Sequence, residues 1–409
     1  MSQQKLPGQF WIIALIALIN SISFTIIIPL LYPYAKQFAL SDFQASLLTT
    51  AYAISQFFGT PILGKLSDRM GRKPILIISL LGTVIANLLA SISNTAWLLY
   101  TARILDGLTG GNNSVANAVI SDITNPKQRS QAFGIFAATF RLGFVVGPVL
   151  SYFAQQLPTL PGISALGMSF LVAAAIAFFA VIITIFFLPE TLPQSTPKSF
   201  KLSWQDFEFS KIAKSATKPK LGKLFVLTFL SGATFTIFTF AFQPFFLNIL
   251  NRNPKELALA FSAVGILGFI SQVFALEPLR SRFNLIDILA MTLLLRGVTF
   301  LLMPTFPTIT AFAIILAIFS LVNAFPMPLI QSVLSLNTNQ QEQGEVLGIN
   351  ASYLSIANAF GPFISGLLVS LGYKLPLWIT GVLTIATAWF AWRLKSEFNK
   401  IEQNSSASR

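Results

Sequence analysis

The chain has 409 residues, 54% of them hydrophobic and only 10% charged, with 40 Phe and neither Cys nor His. Globular chains carry about 25% charged residues, so a soluble protein is excluded in favour of an all-α polytopic membrane protein. The missing side chains exclude disulfides, imidazole or thiolate metal sites and Ser-His or Cys-His catalysis. The net charge of +13 sits at the ends of apolar stretches rather than on a soluble face with stacking aromatics, which excludes nucleic-acid binding.

In chain order, windows of about 20 apolar residues predict membrane helices near 9–35, 43–64, 74–93, 96–121, 130–155 and 164–188. The first apolar stretch is longer than the roughly 7–15 residues of a signal-peptide core and lacks a small-x-small cleavage site, so it reads as a membrane helix. A polar interval follows, 189–222, rich in Pro, Ser and Lys, with one amphipathic patch (SWQDFEFSKIAK) suited to a short helix on the membrane surface; a regulatory or partner-binding role for it stays open. Spans resume near 223–248, 257–276, 285–303, 308–335, 345–371 and 375–394. The organisation is therefore a six-helix bundle over 1–188, a cytoplasmic linker over 189–222, a second bundle over 223–395 and a cytoplasmic tail over 396–409. With both termini inside, twenty of the 27 Lys and Arg residues fall on the cytoplasmic side and four (Lys36, Arg252, Lys255, Lys374) outside. That bias fixes the predicted orientation, in a bacterial-type inner membrane.

The two halves are related. A shift of 214 positions lays Asn125 on Asn339, Gly134 on Gly348, Gly147-Pro148 on Gly361-Pro362 and Ser151 on Ser365. A shift of 213 lays Leu66 on Leu279 and Arg69 on Arg282, so EPLRSRF reads as a worn copy of the charged segment GKLSDRMGRK at 64–73. Two pseudo-symmetric six-helix bundles are the arrangement of parallel-repeat transporters.

Three segments carry a family resemblance. G-x-L-x-D-R-x-G-R-K, through Gly64, Leu66, Asp68, Arg69, Gly71, Arg72 and Lys73, resembles the loop signature of the major facilitator superfamily. RILDGLTGG at 103–111 is similar to the R-x-x-x-G-x-x-G of its proton-coupled members. GFVVGPVLS at 143–151 resembles the antiporter motif G-x-x-x-G-P-x-x-G-G, with Ser151 and Tyr152 in place of the final glycines. The stretch ISDITNPKQRSQAFGIFAATFRLGFVVGPVL looks like that of twelve-helix drug:proton antiporters, notably tetracycline-efflux proteins. The resemblance implies a major facilitator fold and alternating access. It also implies a state latch at Asp68 and Arg72, and a flexing interface at Gly143, Gly147 and Pro148.

The charges within spans are few. Arg103 and Asp106, three residues apart, lie within pairing distance, and Gly110, Asn113 and Asn117 continue that face. Such a stripe should line an aqueous cavity, with Asp106 the proton carrier and Arg103 its partner, since Arg itself does not titrate; a purely structural ion pair is the other reading. Arg141 and Arg296 lie mid-span, where an unpaired charge costs about 2.5–3.5 kcal/mol or more, and either bind cargo or hold structure. In tetracycline exporters the comparable part of the ninth helix tends to carry an acid, so Arg296 points toward anionic or neutral cargo. Further cavity candidates are Asn20, Gln56, Gln243, Asn323, Tyr353 and Asn358, each of which could equally be an interhelical hydrogen bond. The expectation is a monomeric secondary transporter exporting a small organic compound or drug against protons, with no metal or cofactor. Import of a sugar or metabolite is the alternative; an enzyme or a channel is disfavoured for lack of a catalytic dyad, a metal site or a filter.

Overall fold

The computed structural model describes residues 5–192, 209–339 and 342–398. The described residues form helices α1 (Gly8–Ile27), α2 (Leu31–Lys36), α3 (Asp42–Met70), α4 (Arg72–Ser91), α5 (Ala96–Thr109), α6 (Asn112–Ile123), α7 (Pro126–Ala154) and α8 (Ala165–Phe187). After the linker come α9 (Phe209–Ser215), α10 (Leu221–Pro244), α11 (Pro254–Arg280), α12 (Leu285–Thr305), α13 (Ile309–Asn323), α14 (Pro326–Leu336), α15 (Gln343–Leu371) and α16 (Leu375–Arg393). In lipid every backbone polar group must be satisfied inside its own segment, which is why apolar stretches of this length become helices.

Among the described residues, ten segments are long and apolar enough to cross a membrane. The other two spans are α3, whose last turns are charged, and α5–α6, which is broken at Gly110-Gly111. Three expected spans are thus divided. The first breaks at Ile28-Pro29-Leu30 and the tenth just before Pro326, where proline removes a backbone donor; the fourth breaks at its paired glycines. The charged segment at 64–73 is not the loop expected from sequence. Gly64 to Met70 continue α3, only Gly71 lies outside a helix, and Arg72 and Lys73 open α4. Gly71 takes φ +105°, the left-handed region that favours glycine, and so makes the whole reversal in one residue.

The chain divides into two compact units, Met1–Leu40 with Ala51–Phe207 and Pro254–Ser262, and Ser41–Thr50 with Glu208–Asn253 and Ala263–Arg409. They depart from boundaries at 188 and 223 in two places: the first turns of α3 group with the second unit, and the first turns of α11 with the first. Within the first unit α1 packs on α7 and α8, and α4 on α8 and α5; within the second α10 packs on α15 and α16, and α12 on α16 and α13. The pairing scheme is the same in both, so the repeat in sequence is a repeat in packing. The first core gathers Phe10, Ile13, Leu80, Val119 and Val181. The second is a chain of rings, with Phe238 stacked between Phe242 and Phe300 and Phe312 against Phe242.

The later part of the linker carries α9, which is docked rather than loose. Tyr353 Oη on α15 donates to Ile212 O (2.8 Å) and lies 3.2 Å from Ser215 Oγ, while its ring stacks on Phe225 at 5.4 Å. The earlier half of the amphipathic patch lies outside the described residues.

Candidate functional site

The turn between α3 and α4 organises three acids around one arginine. Asp68 and Arg72 are one turn apart and form an ion pair. Arg72 Nε also donates to Asp122 at the end of α6 (3.0 Å) and its Nη1 to Ser67 Oγ (2.8 Å). Glu190, two residues beyond Leu188 at the end of α8, accepts from the backbone N–H of Arg72 (2.9 Å) and of Lys73 (3.1 Å). Those are two of the four amides that a helix start leaves without intrahelical partners, and a carboxylate there is also favoured by the helix dipole. Burial raises the Glu190 carboxyl, but the amides of Leu192, Arg72, Lys73 and Thr191 together outweigh it and hold the group below its ordinary value. Lys73 Nζ reaches Ile185 O at 2.7 Å. Arg69 stays exposed, and Gly64 leaves room beside Ser114. Asp122 and Glu190 escaped sequence reasoning because each is distant in sequence from the motif it completes. The only signal was an isolated acid at a span end (SDIT and LPET).

The second constellation lies inside the membrane. Arg103 Nη1 and Asp106 Oδ2 are 2.7 Å apart and both side chains are about 5% exposed. The guanidinium sits 4.3 Å above the Tyr52 ring, a cation–π contact. Gln56 Nε2 donates to Tyr52 Oη (3.0 Å) and to Gly110 O (3.1 Å), so it fills the carbonyl released where α5 ends. Thr83 of α4 also hydrogen-bonds to Asp106. Gly107 makes this possible, because a Cβ there would overlap Tyr52 O on α3. The expected polar stripe therefore splits: Arg103, Asp106 and Gly110 are buried against α3 and α4, whereas Asn113 and Asn117, beyond the helix break, are exposed. Tyr52 and Thr83 were invisible in sequence, being an ordinary aromatic and a hydroxyl until the helices cross.

The third constellation is a pair of matched joints. In the first unit Thr25 Oγ1 donates to Gly143 O (2.6 Å) and Ser21 Oγ to Thr139 O (3.0 Å), and a Cβ on Gly147 would overlap Thr25. In the second, Thr236 Oγ1 donates to Ala357 O (3.0 Å), Ser365 Oγ to Ile237 O (2.8 Å), and a Cβ on Gly361 would overlap Thr236. Pro148 and Pro362 follow immediately inside their helices.

The remaining candidates scatter. Arg296 is 2% exposed, and its guanidinium bonds only neutral groups: Thr234 Oγ1 (2.9 Å), Ser231 O (3.2 Å) and Oγ (3.3 Å), and Asn323 Oδ1 (3.3 Å). Its Nε has no partner among the described residues. Arg141 is half-buried on α7 with no hydrogen-bond or ion-pair partner among the described residues. Asn20 and Asn358 are half-buried, Gln243 is buried on α10, and Tyr353 is engaged with α9. Among the described residues no group of acids could hold a metal ion.

A sequence profile described as Major Facilitator Superfamily matches residues 13–220 and 224–408. The tetracycline resistance protein, class B, of Escherichia coli is 26% identical over 391 residues, 92% of this chain and 91% of that protein. Multidrug resistance protein 2 of Bacillus subtilis is 26% identical over 361 residues, 88% of each. Among solved structures, a bacterial homolog of the human lysosomal transporter Spinster superposes with a TM-score of 0.78 at 15% identity, covering 96% of this chain and 97% of that one; a likeness at that identity speaks for the fold alone.

Proposed function

The chain belongs to the Major Facilitator Superfamily, and from that premise we propose that it is a proton-coupled exporter of small organic compounds. It would work by alternating access, as a monomer in the inner membrane with both termini cytoplasmic. The observation that carries the reading is the buried Arg103–Asp106 pair. Asp106 is the only acid well inside a span of the N-terminal half, and its carboxylate is neutralised by a group that does not itself titrate. Protonation turns a neutral pair into a cationic site held by the Tyr52 face; release of the proton restores the pair. A carrier of this kind drives transport when the conformations that face the two sides differ in proton affinity, because each then binds the proton with a different free energy. Asp68 and Arg72 serve as the latch, since Arg72 ties α4 to both α3 and α6. The names of the relatives, tetracycline and multidrug resistance proteins, favour export over import.

The test is transport in proteoliposomes with an imposed pH gradient, reading tetracycline or ethidium accumulation together with proton flux. Gradient-dependent movement should vanish in Asp106→Asn while gradient-independent exchange persists. Undiminished gradient-driven transport in that variant would remove Asp106 from the mechanism.

A further inference from the structure

The interior charges do not balance. Arg103 is neutralised by Asp106, but Arg141 of the first unit has no carboxylate among the described residues, and Arg296 of the second is cradled by neutral oxygens only. Both lie near the middle of their spans, Gln131–Ala154 and Leu285–Thr305. Arg141 is about 20 Å of helix from either end of α7, too far for its side chain to reach an interface. A half-buried cation without a counter-charge at that depth faces water or a bound anion rather than lipid.

The face it occupies supports this. Ser21 and Thr25 of α1 bond to the carbonyls of Thr139 and Gly143, so the 139/143 side of α7 is the packed side. At about 100° per residue Arg141 points nearly opposite. Toward the N-terminal end its neighbours on that side are small, Gly134, where a Cβ would meet nothing within 4 Å, and exposed Ala137; toward the other end they are half-buried Phe144 and Val145. The corresponding face of α15 is Gly348, Ala351 and Ser355. A hydroxyl therefore stands where α7 has a guanidinium, and the shared packing scheme has no need of a cation there.

We propose that Arg141 is an anion-recognition residue and that the cargo is an organic anion, a carboxylate or comparable acid. The inference rests on the transporter reading and deepens it. A planar guanidinium with all five donors available matches a carboxylate in bidentate fashion.

The test exploits a chain with no native cysteine. Ala137→Cys places one thiol a single turn from Arg141, in the full-length protein in membrane vesicles. Labelling rates are compared for an anionic (sulfonatoethyl) and a cationic (trimethylammonioethyl) methanethiosulfonate. A unit charge about 6 Å away in water-like surroundings should favour the anion over the cation by about tenfold. That preference should be lost in Ala137→Cys/Arg141→Gln and kept in Ala137→Cys/Arg141→Lys. Millimolar benzoate should protect the thiol in the Arg141 protein, whereas benzamide and benzylamine should not. A thiol unreactive to both reagents, a preference unmoved by Arg141→Gln, or an absence of protection by benzoate would each overturn the assignment. Labelling needs no transport, so its failure is separable from that of the exporter reading, which falls on proton-driven flux alone.

Discussion

Replacing Asp106 separates the structural from the protonic share of the buried pair. Leaving one partner of a buried ion pair uncompensated costs about 3–5 kcal/mol, and Asp106→Ala should show that loss in full, because Arg103 Nε already lacks a partner. Asp106→Asn is milder. Its Oδ1 still accepts from Arg103, and a hydrogen bond to a charged group retains about 1.5–3 kcal/mol, so the net loss is about 2 kcal/mol, or roughly 30-fold in the unfolding equilibrium. The cation–π contact with Tyr52 at 4.3 Å survives both changes and does not alter the difference. An apolar pair, Arg103→Met/Asp106→Leu, should recover most of the stability, since buried ion pairs are often replaceable by packed apolar groups. It should recover none of the proton-driven transport. Equilibrium unfolding in mixed detergent micelles reads the first effect and proteoliposome flux the second. If Asp106→Ala costs less than about 1 kcal/mol, or the double variant is less stable than either single one, the pair is not a buried, mutually compensating unit.

Three further outcomes follow from named contacts. Because Glu190 titrates below its ordinary value when folded, the stability it supplies is complete above the unfolded pKa of about 4.3 and is lost as pH falls through the lower folded value. Glu190→Gln should therefore lower stability at neutral pH by under about 1 kcal/mol, the group being solvent-screened, and converge with the parent in acid, so that the acid limb of the unfolding profile flattens. Gly147→Ala should destabilise by about 1–3 kcal/mol through overpacking against the Thr25 hydroxyl, with partial rescue by Thr25→Ala, which deletes that hydroxyl, and none by Thr25→Ser, which keeps it; a fully neutral Gly147→Ala in thermal unfolding would contradict the close approach. Tyr353→Phe removes the donor to Ile212 O, at about 1 kcal/mol, and should expose α9 to limited proteolysis while the ring stack on Phe225 keeps α15 in place.

Span number and order were legible in the sequence because hydropathy and the lipid's demand for internal hydrogen bonds act on each segment separately. The division of spans at Pro29, Gly110-Gly111 and Pro326 was not, since a proline or glycine inside a helix is tolerated or decisive depending on what neighbouring helices offer the freed carbonyls. Gln56 answering Gly110 O is such an offer. Arg103 with Asp106 was readable from spacing alone, being a contact within one turn. Tyr52, Thr83, Asp122 and Glu190 were not, because each enters its cluster from another helix or, for Glu190, from the segment after one, and the placement of that helix is fixed by packing. The charged decapeptide misled in the opposite direction: ten residues with five charges read as a loop, yet one glycine at φ +105° makes the turn and the charges ride on helix ends.

The matched joints, Thr25 with Gly143 and Gly147 and Thr236 with Ala357 and Gly361, are assembled entirely from hydroxyls, carbonyls and missing side chains. None of these groups titrates in the physiological range, and none is screened by salt. Acidification and ionic strength therefore leave the packing at these two joints unchanged. If the exporter reading holds, proton uptake at Asp106 would leave both helix contacts as tight as before.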